Sequence, residues 1–335
     1  MSPESSQSGP APVFAVGADG APSYRGVPLA SVIGQRFESV WGLLVDGVVS
    51  PALPPAEPFP LPVRTGDTRV DVQSALAQIA PVWGFRSLLD TPPDRARQDL
   101  ARASVLALSF VAQSARGVDV PAVPQQEIEA GRTVAERFLI RWSGETQADK
   151  AAALDALWAV VAEDGLSPST QIARTVAATG SDLGACLSGA VAAVGGPLAA
   201  GAAARVAQLA TAVHDGADAV AAVRETLREQ TIVPGFVEGT ADPRADLLRE
   251  VCAGLDVPLY AAARAVERAG RELLEERLGQ PARTNVPFWA AILLHHVGFE
   301  ARMFNALIIC GRTAGWSAHV LEAHHDLVAG TTPHP

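Results

Sequence analysis

Histidines and carboxylates crowd the C-terminal part of the chain. His295 and His296 are adjacent, and His319, Glu322, His324, His325 and Asp326 follow close together. Such side chains bind zinc when a spacing such as i, i+4 puts them on one helix face. These spacings give no clean set, and His324 and His325 suit the polar end of a helix, so no metal site is expected. Gly195-Gly196-Pro197 lacks the preceding strand and the spacing of a phosphate-binding loop. Cys186, Cys252 and Cys310 are far apart, odd in number and set among apolar residues. They read as buried core thiols in a reducing compartment rather than a disulfide framework. A Ser-His-Asp or Cys-His set cannot be assembled from chain order, because such partners meet in space.

The elements that must carry these side chains are helical. Of 335 residues, 48% are hydrophobic, mostly Ala, Val and Leu, and only 5% are aromatic. Apolar residues recur every three or four positions, and period-two alternation is rare. The pattern predicts helices over 37–45, 70–80, 96–115, 125–142, 148–163, 218–230, 244–254, 259–278, 288–296 and 301–322, the last interrupted near Gly311 or Gly315. Ser167-Pro168 opens another helix, with Ser167 as its cap. A proline-rich loop spans 51–63. The stretch 183–209 carries Arg205 as its one charge. Its small residues and the break at Gly195-Gly196-Pro197 make it a pair of closely packed helices instead of a membrane span. A net charge of -10 leaves no basic face for nucleic acid and suits a cytoplasmic protein. Residues 1–12 lack the basic and apolar regions of a signal peptide and read as a disordered leader.

Five blocks in order carry a family resemblance: Tyr24-Arg25-Gly26; Ser114-Ala115-Arg116-Gly117 with Pro121-Ala122-Val123-Pro124-Gln125; Gly180 to Arg205; Asp242-Pro243-Arg244; and Thr284 to Glu322. The last holds Thr284-Asn285-Val286-Pro287-Phe288-Trp289 and Gly311-Arg312-Thr313-Ala314-Gly315-Trp316-Ser317-Ala318-His319. Together they resemble the citrate synthase family, nearest a short actinobacterial branch of second citrate synthases with methylcitrate synthase-like members. The resemblance implies an all-α citrate-synthase fold. A large helical domain would comprise 13–198 and 288–335, and a small helical domain 199–287. It also implies an obligate homodimer whose small domain closes over oxaloacetate and acetyl-CoA.

The family's acid/base positions are replaced. Its Gly-Pro-Leu-His-Gly-Gly motif reads Gly196-Pro197-Leu198-Ala199-Ala200-Gly201, so Ala199 stands where a histidine polarises the thioester. Its Asn-Val-(Asp/Glu)-Phe motif reads Asn285-Val286-Pro287-Phe288, so Pro287 stands where a carboxylate removes the methyl proton. Its Gly-Phe-Gly-His run reads Gly235-Phe236-Val237-Glu238. A further histidine-led run that contacts oxaloacetate becomes Asp164-Gly165-Leu166-Ser167-Pro168-Ser169-Thr170. The loop from Glu238 to Arg244 is shorter than the family's, which bears on CoA, and the chain ends before the family's C-terminal arm. Arg244 and Arg312 occupy the positions that grip oxaloacetate carboxylates. Guanidinium forks suit that task and suit structural ion pairs equally.

The expectation is a catalytically degenerate paralogue acting through dimerisation, as a homodimer or as a heterodimer with an active paralogue. Two alternatives stay open. One is a repurposed enzyme that keeps a carboxylate ligand and uses Glu238. The other is a residually active citrate or methylcitrate synthase, with acetyl-CoA or another acyl-CoA as substrate.

Overall fold

The computed structural model describes residues 11–194, 197–229, 233–239 and 242–330. Most of the leader, Gly195, Gly196, Gln230 and part of the loop after Glu238 lie outside them. Strands β1 (Phe14–Val16), β2 (Pro22–Tyr24) and β3 (Val27–Pro28) form a small antiparallel sheet in that order. Then come α1 (Leu29–Val32), α2 (Phe37–Asp46), α3 (Thr68–Trp83), α4 (Pro93–Arg116), α5 (Gln125–Glu129), α6 (Val134–Ser143), α7 (Ala148–Val161), α8 (Pro168–Ala178) and α9 (Leu183–Val194). The chain continues through α10 (Pro197–His214), α11 (Ala219–Glu229), β4 (Phe236–Glu238), α12 (Pro243–Gly254), α13 (Tyr260–Leu278), β5 (Ala282–Thr284), α14 (Val286–Val297) and α15 (Phe304–Val328).

Three local expectations need correction. The helix expected over 125–142 is two, α5 and α6, because Gly131 and Thr133 intervene. A β-carbon at Gly131 would stand 2.9 Å from the Arg137 backbone nitrogen, and the Thr133 side chain caps α6 through the Glu136 N–H. Ser167 precedes α8, but its side chain makes no cap. Its hydroxyl lies 3.2 Å from those of Ser169 and Thr170 instead. The last helix is unbroken: α15 runs through Gly311 and Gly315, preceded by a 3-10 turn at Ala301–Met303. The reason is tertiary. A β-carbon at Gly311 would stand 2.9 Å from the Trp158 carbonyl, and one at Gly315 would stand 2.5 Å from the Ala162 carbonyl. The two glycines sit one turn apart and let α15 lie against the end of α7.

The core is apolar and helical, centred on α15, which packs against α2, α4, α7, α8 and α9. Trp41, Trp158, Trp289 and Trp316 are fully buried. Indole N–H groups of Trp41 and Trp316 donate to Ser104 and Ser169 at 3.2 Å, so these rings enter the core without an orphaned donor. On another face α10 packs against α13 and α14, and α12 against α14 and α7. There the buried Glu267 of α13 meets Arg264 at 3.2 Å, Arg271 at 3.0 Å and Arg249 of α12 at 3.6 Å. It also accepts from Thr284 of β5 at 2.9 Å. One buried carboxylate thus ties three elements, as burial of a charge requires.

A second buried carboxylate makes the stability of the fold depend on pH. No side chain of its own caps α2, and the Phe37 N–H donates to Asp155 of α7 at 3.0 Å. Burial pushes the Asp155 carboxyl up to about 7, against the pull of that hydrogen bond. Because the folded value lies above the ordinary 3.8, the stability tied to this proton is complete below about pH 4 and is lost as pH rises through about 7. Asp155→Asn keeps the acceptor and removes the charge. It should unfold at higher temperature than the parent at pH 8, by about 1–3 kcal/mol equivalent, with the advantage vanishing near pH 4. Parallel pH profiles would contradict the assignment.

Candidate functional site

Polar groups gather where α7 ends. Tyr24, at the end of β2, is fully buried. Its hydroxyl donates toward the Ala159 carbonyl at 2.9 Å and accepts from the Glu163 N–H at 3.2 Å. The Val160 and Glu163 carbonyls also lie 3.2 Å away. The phenol therefore caps the C-terminal turn of α7 from outside, satisfying carbonyls that a helix end leaves open. Burial pushes the phenol far above its ordinary range, so it remains a donor.

Glu163 follows directly and has no solvent exposure. One carboxylate oxygen accepts from the Asp164 N–H at 2.8 Å and lies 3.7 Å from Arg312 Nη1. The other lies 3.4 Å from His319 Nε2, an ion-pair distance outside hydrogen-bond geometry, and 3.5 Å from the Thr170 hydroxyl. Gly315 is what makes room, because a side chain there would overlap this oxygen. Arg312 and His319 lie two turns apart on α15, so one helix delivers both side chains to one carboxylate.

Arg312 spends its fork elsewhere. Its Nη1 donates to Asp164 Oδ1 at 2.5 Å, and its Nη2 pairs with Asp164 Oδ2. Arg244, in the first turn of α12, also stands near the same carboxylate, with Nη1 3.8 Å from Asp164 Oδ2, the oxygen that Arg312 Nη2 pairs with. The rest of the Arg244 guanidinium is bidentate on Asp242, from Nε at 3.0 Å and Nη2 at 2.9 Å. Asp242 also caps α12 through the Arg244 N–H. Burial would raise the Asp164 carboxyl, but the Arg312 and Arg244 guanidiniums win and hold it below its ordinary range.

A second layer surrounds His319. Arg174 Nη1 lies 3.1 Å from its Nδ1, and Glu322 stands 3.6 Å away on the same side. Glu322 pairs with Arg174 at 3.0 Å and with Arg25 at 2.9 Å. Burial opposes its ionisation, yet His319 and Arg25 hold it at about 2. Burial also disfavours the charged form of His319, but the carboxylates of Glu163 and Glu322 outweigh it and raise the imidazole above its ordinary value.

The sequence profile of the family described as citrate synthase, C-terminal domain, matches residues 9–329. The chain belongs to the citrate synthase family. It is 49% identical over 309 residues to "Putative citrate synthase 2" of Mycobacterium tuberculosis, covering 90% of this chain and 83% of that one. A 2-methylcitrate synthase of Shewanella oneidensis is 30% identical over 177 residues, 50% of this chain and 46% of the relative. Among solved structures, citrate synthase of Thermoplasma acidophilum, in ternary complex with carboxymethyl coenzyme A and oxaloacetate, aligns with a TM-score of 0.74. Its identity is 20%, and the match covers 92% of this chain and 88% of that one. Citrate synthase from Thermotoga maritima aligns with a TM-score of 0.66 at 22% identity, covering 95% and 90%. The all-α citrate-synthase fold expected from sequence is the fold observed.

Within this citrate synthase homologue the positions singled out from sequence have separate fates. Arg244 and Arg312 converge on Asp164. Glu238 ends β4, paired opposite Ala282 of β5, and is exposed. It accepts from Gln280 at 2.7 Å and forms no ion pair with Arg244 or Arg312. Gly235, at φ 82°, and Gly270 fix this strand. A β-carbon at Gly270 would overlap the Phe236 ring, which therefore lies flush on α13. Pro287 occupies the first turn of α14 behind its cap Asn285, where no N–H is needed. Ala199 falls within α10, and its side chain lies outside the described residues. His324 is buried, and among the described residues no group of three or more His, Cys, Asp or Glu is placed to hold a metal. Sequence motifs contain Asp164, at the head of the run that replaces a histidine-led one, and Asp242, beside Arg244, but assign neither a partner, and they do not include Glu163. The acidic pair directly after an apolar helix was the available signal.

Glu163→Gln should lower the unfolding free energy by about 3 kcal/mol, since it strands charges gathered for a buried partner. It should also move the His319 titration, followed by NMR, to lower pH. An unchanged His319 titration would show that Glu163 is not its counter-ion.

Proposed function

We propose that this chain is a catalytically degenerate member of the citrate synthase family, without acyl-CoA/oxaloacetate condensation, that acts through its dimer surface. One observation carries the reading: both arginines at the family's carboxylate-gripping positions are bonded to the chain's own carboxylates, Asp164 and Asp242. The family's acid/base positions, Ala199, Glu238 and Pro287, add to it. A methyl group and a proline ring cannot transfer a proton, and Glu238 faces solvent beside Gln280. Each positioned acid or base contributes roughly 10²–10⁴-fold. An oxyanion-type donor contributes about 10²–10³. These losses do not add, but together they bring condensation close to background.

In this reading the small domain spans 199–287, residues 13–198 and 288–335 form the large domain, and 1–12 is a leader. The partner is a second copy or an active paralogue, met through the region of α9 and α10 that resembles the family's subunit interface. Acetyl-CoA or another acyl-CoA is relevant only if activity survives. Among the described residues no helix is long and apolar enough to cross a membrane.

The test is release of CoA thiol from acetyl-CoA or propionyl-CoA with oxaloacetate at high protein concentration. The expected outcome is no release above background. Turnover that disappears in Arg312→Ala would make this a working condensing enzyme and overturn the proposal.

A further inference from the structure

Away from these ion pairs, a cleft opens between α4, α5, α6 and the proline-rich loop. Val105 and Leu108 of α4, Ile128 of α5 and Phe138 of α6 give it apolar walls, and residues 54–56 close one side. It encloses about 410 Å³ and opens to solvent, within the roughly 300–1,000 Å³ of small-molecule sites. Two guanidiniums line it, Arg137 and Arg141, one turn apart on α6. Among the described residues neither forms an ion pair. Arg141 reaches only a neutral acceptor, the Gln125 amide oxygen, at 3.3 Å from Nη2. Arg137 Nε is buried and finds no acceptor among the described residues.

We propose that this cleft binds a small monocarboxylate with an apolar body, its carboxylate on Arg137 and Arg141 and its body against α4 and α5. The charge balance selects the head group. Arginines on the neighbouring elements already have acids: Arg97 is bidentate on Asp46, Arg102 on Glu57, and Arg132 meets Glu136 at 3.1 Å. In the cleft the lining carboxylate is Glu129, which accepts from Gln125 at 3.0 Å and pairs with neither arginine. Two guanidiniums against one carboxylate leave one positive charge, which a monoanion matches and a dianion would overshoot. Taking a cation out of water without a partner is costly, and like charges four residues apart on a helix repel. Burial accordingly pulls the Arg141 guanidinium below its ordinary value, with no acid to oppose it. The apolar walls select the body. Ser109, the other polar residue of the lining, is already bonded to Gln113 at 3.1 Å.

Isothermal titration of octanoate and benzoate into the full chain tests this, with 1-octanol and acetate supplying the body and the head alone. One or both acids should bind roughly tenfold or more tightly than 1-octanol and acetate, as a hydrogen bond to a charged group implies. That binding should weaken by a similar factor when Arg137→Gln and Arg141→Gln are combined. No binding of either acid, equal binding of 1-octanol or acetate, or acid binding that the double variant retains would each overturn the proposal. Removing unpaired buried charge should leave the variants folded by circular dichroism. Should they unfold, Ala56→Trp takes their place, since it fills the cleft from the loop and keeps both arginines. Loss of acid binding in that variant supports the site, and unchanged binding overturns it. The cleft shares no residue with the Asp164 cluster, so its occupancy is independent of whether CoA is released.

Discussion

The close approach of α15 to the end of α7 is the constraint from which the polar architecture follows. Taking a carboxylate such as Glu163 wholly out of water costs several kcal/mol unless cations and donors surround it. Gly311 and Gly315 let the helices touch with backbone against backbone. That contact brings Arg312 and His319 within 3.7 and 3.4 Å of Glu163. Tyr24 closes the other side by bonding the final carbonyls of α7, which ties the N-terminal sheet to the same point. Arg25, the next residue, reaches Glu322 on α15, so the first and last elements of the fold clamp one network.

The network has a consequence for chemistry. A site that binds an anion keeps positive charge unspent until the ligand arrives. Here that charge is spent within the chain, with Arg312 on Asp164 and Arg244 on Asp242. The same ion pairs that steady the end of α7 and the start of α12 therefore compete with any carboxylate ligand. The ion pairs at Arg312 and Arg244 are thus the structural observation on which the proposed degenerate reading depends.

Much of the helical frame was legible because its signal is local. The apolar spacing over 96–115 lies inside α4, and 70–80 inside α3. Local signal failed where a distant contact decides. Glycine in a helix is unfavourable taken alone, so Gly311 and Gly315 read as an interruption, and only the packing of α7 shows them to be a contact surface. Gly131 produced the opposite error, since the apolar pattern ran across it while the chain turned. At the site, motif resemblance identified Arg244 and Arg312 but not what they hold. Asp164 and Arg312 are 148 residues apart, and no spacing rule spans that distance. Asp164 is visible in sequence as the head of the run that replaces a histidine-led one, whereas Glu163 is visible only as a charge after an apolar helix.

The most direct test of self-neutralisation is a double-mutant cycle of equilibrium unfolding with Asp164→Asn, Arg312→Gln and the pair. If Arg312 is held by Asp164, the double variant should be less destabilised than the sum of the singles by about 1–3 kcal/mol. Additivity within about 0.5 kcal/mol would mean the two side chains do not depend on each other, and the arginine would have to be regarded as free for a ligand.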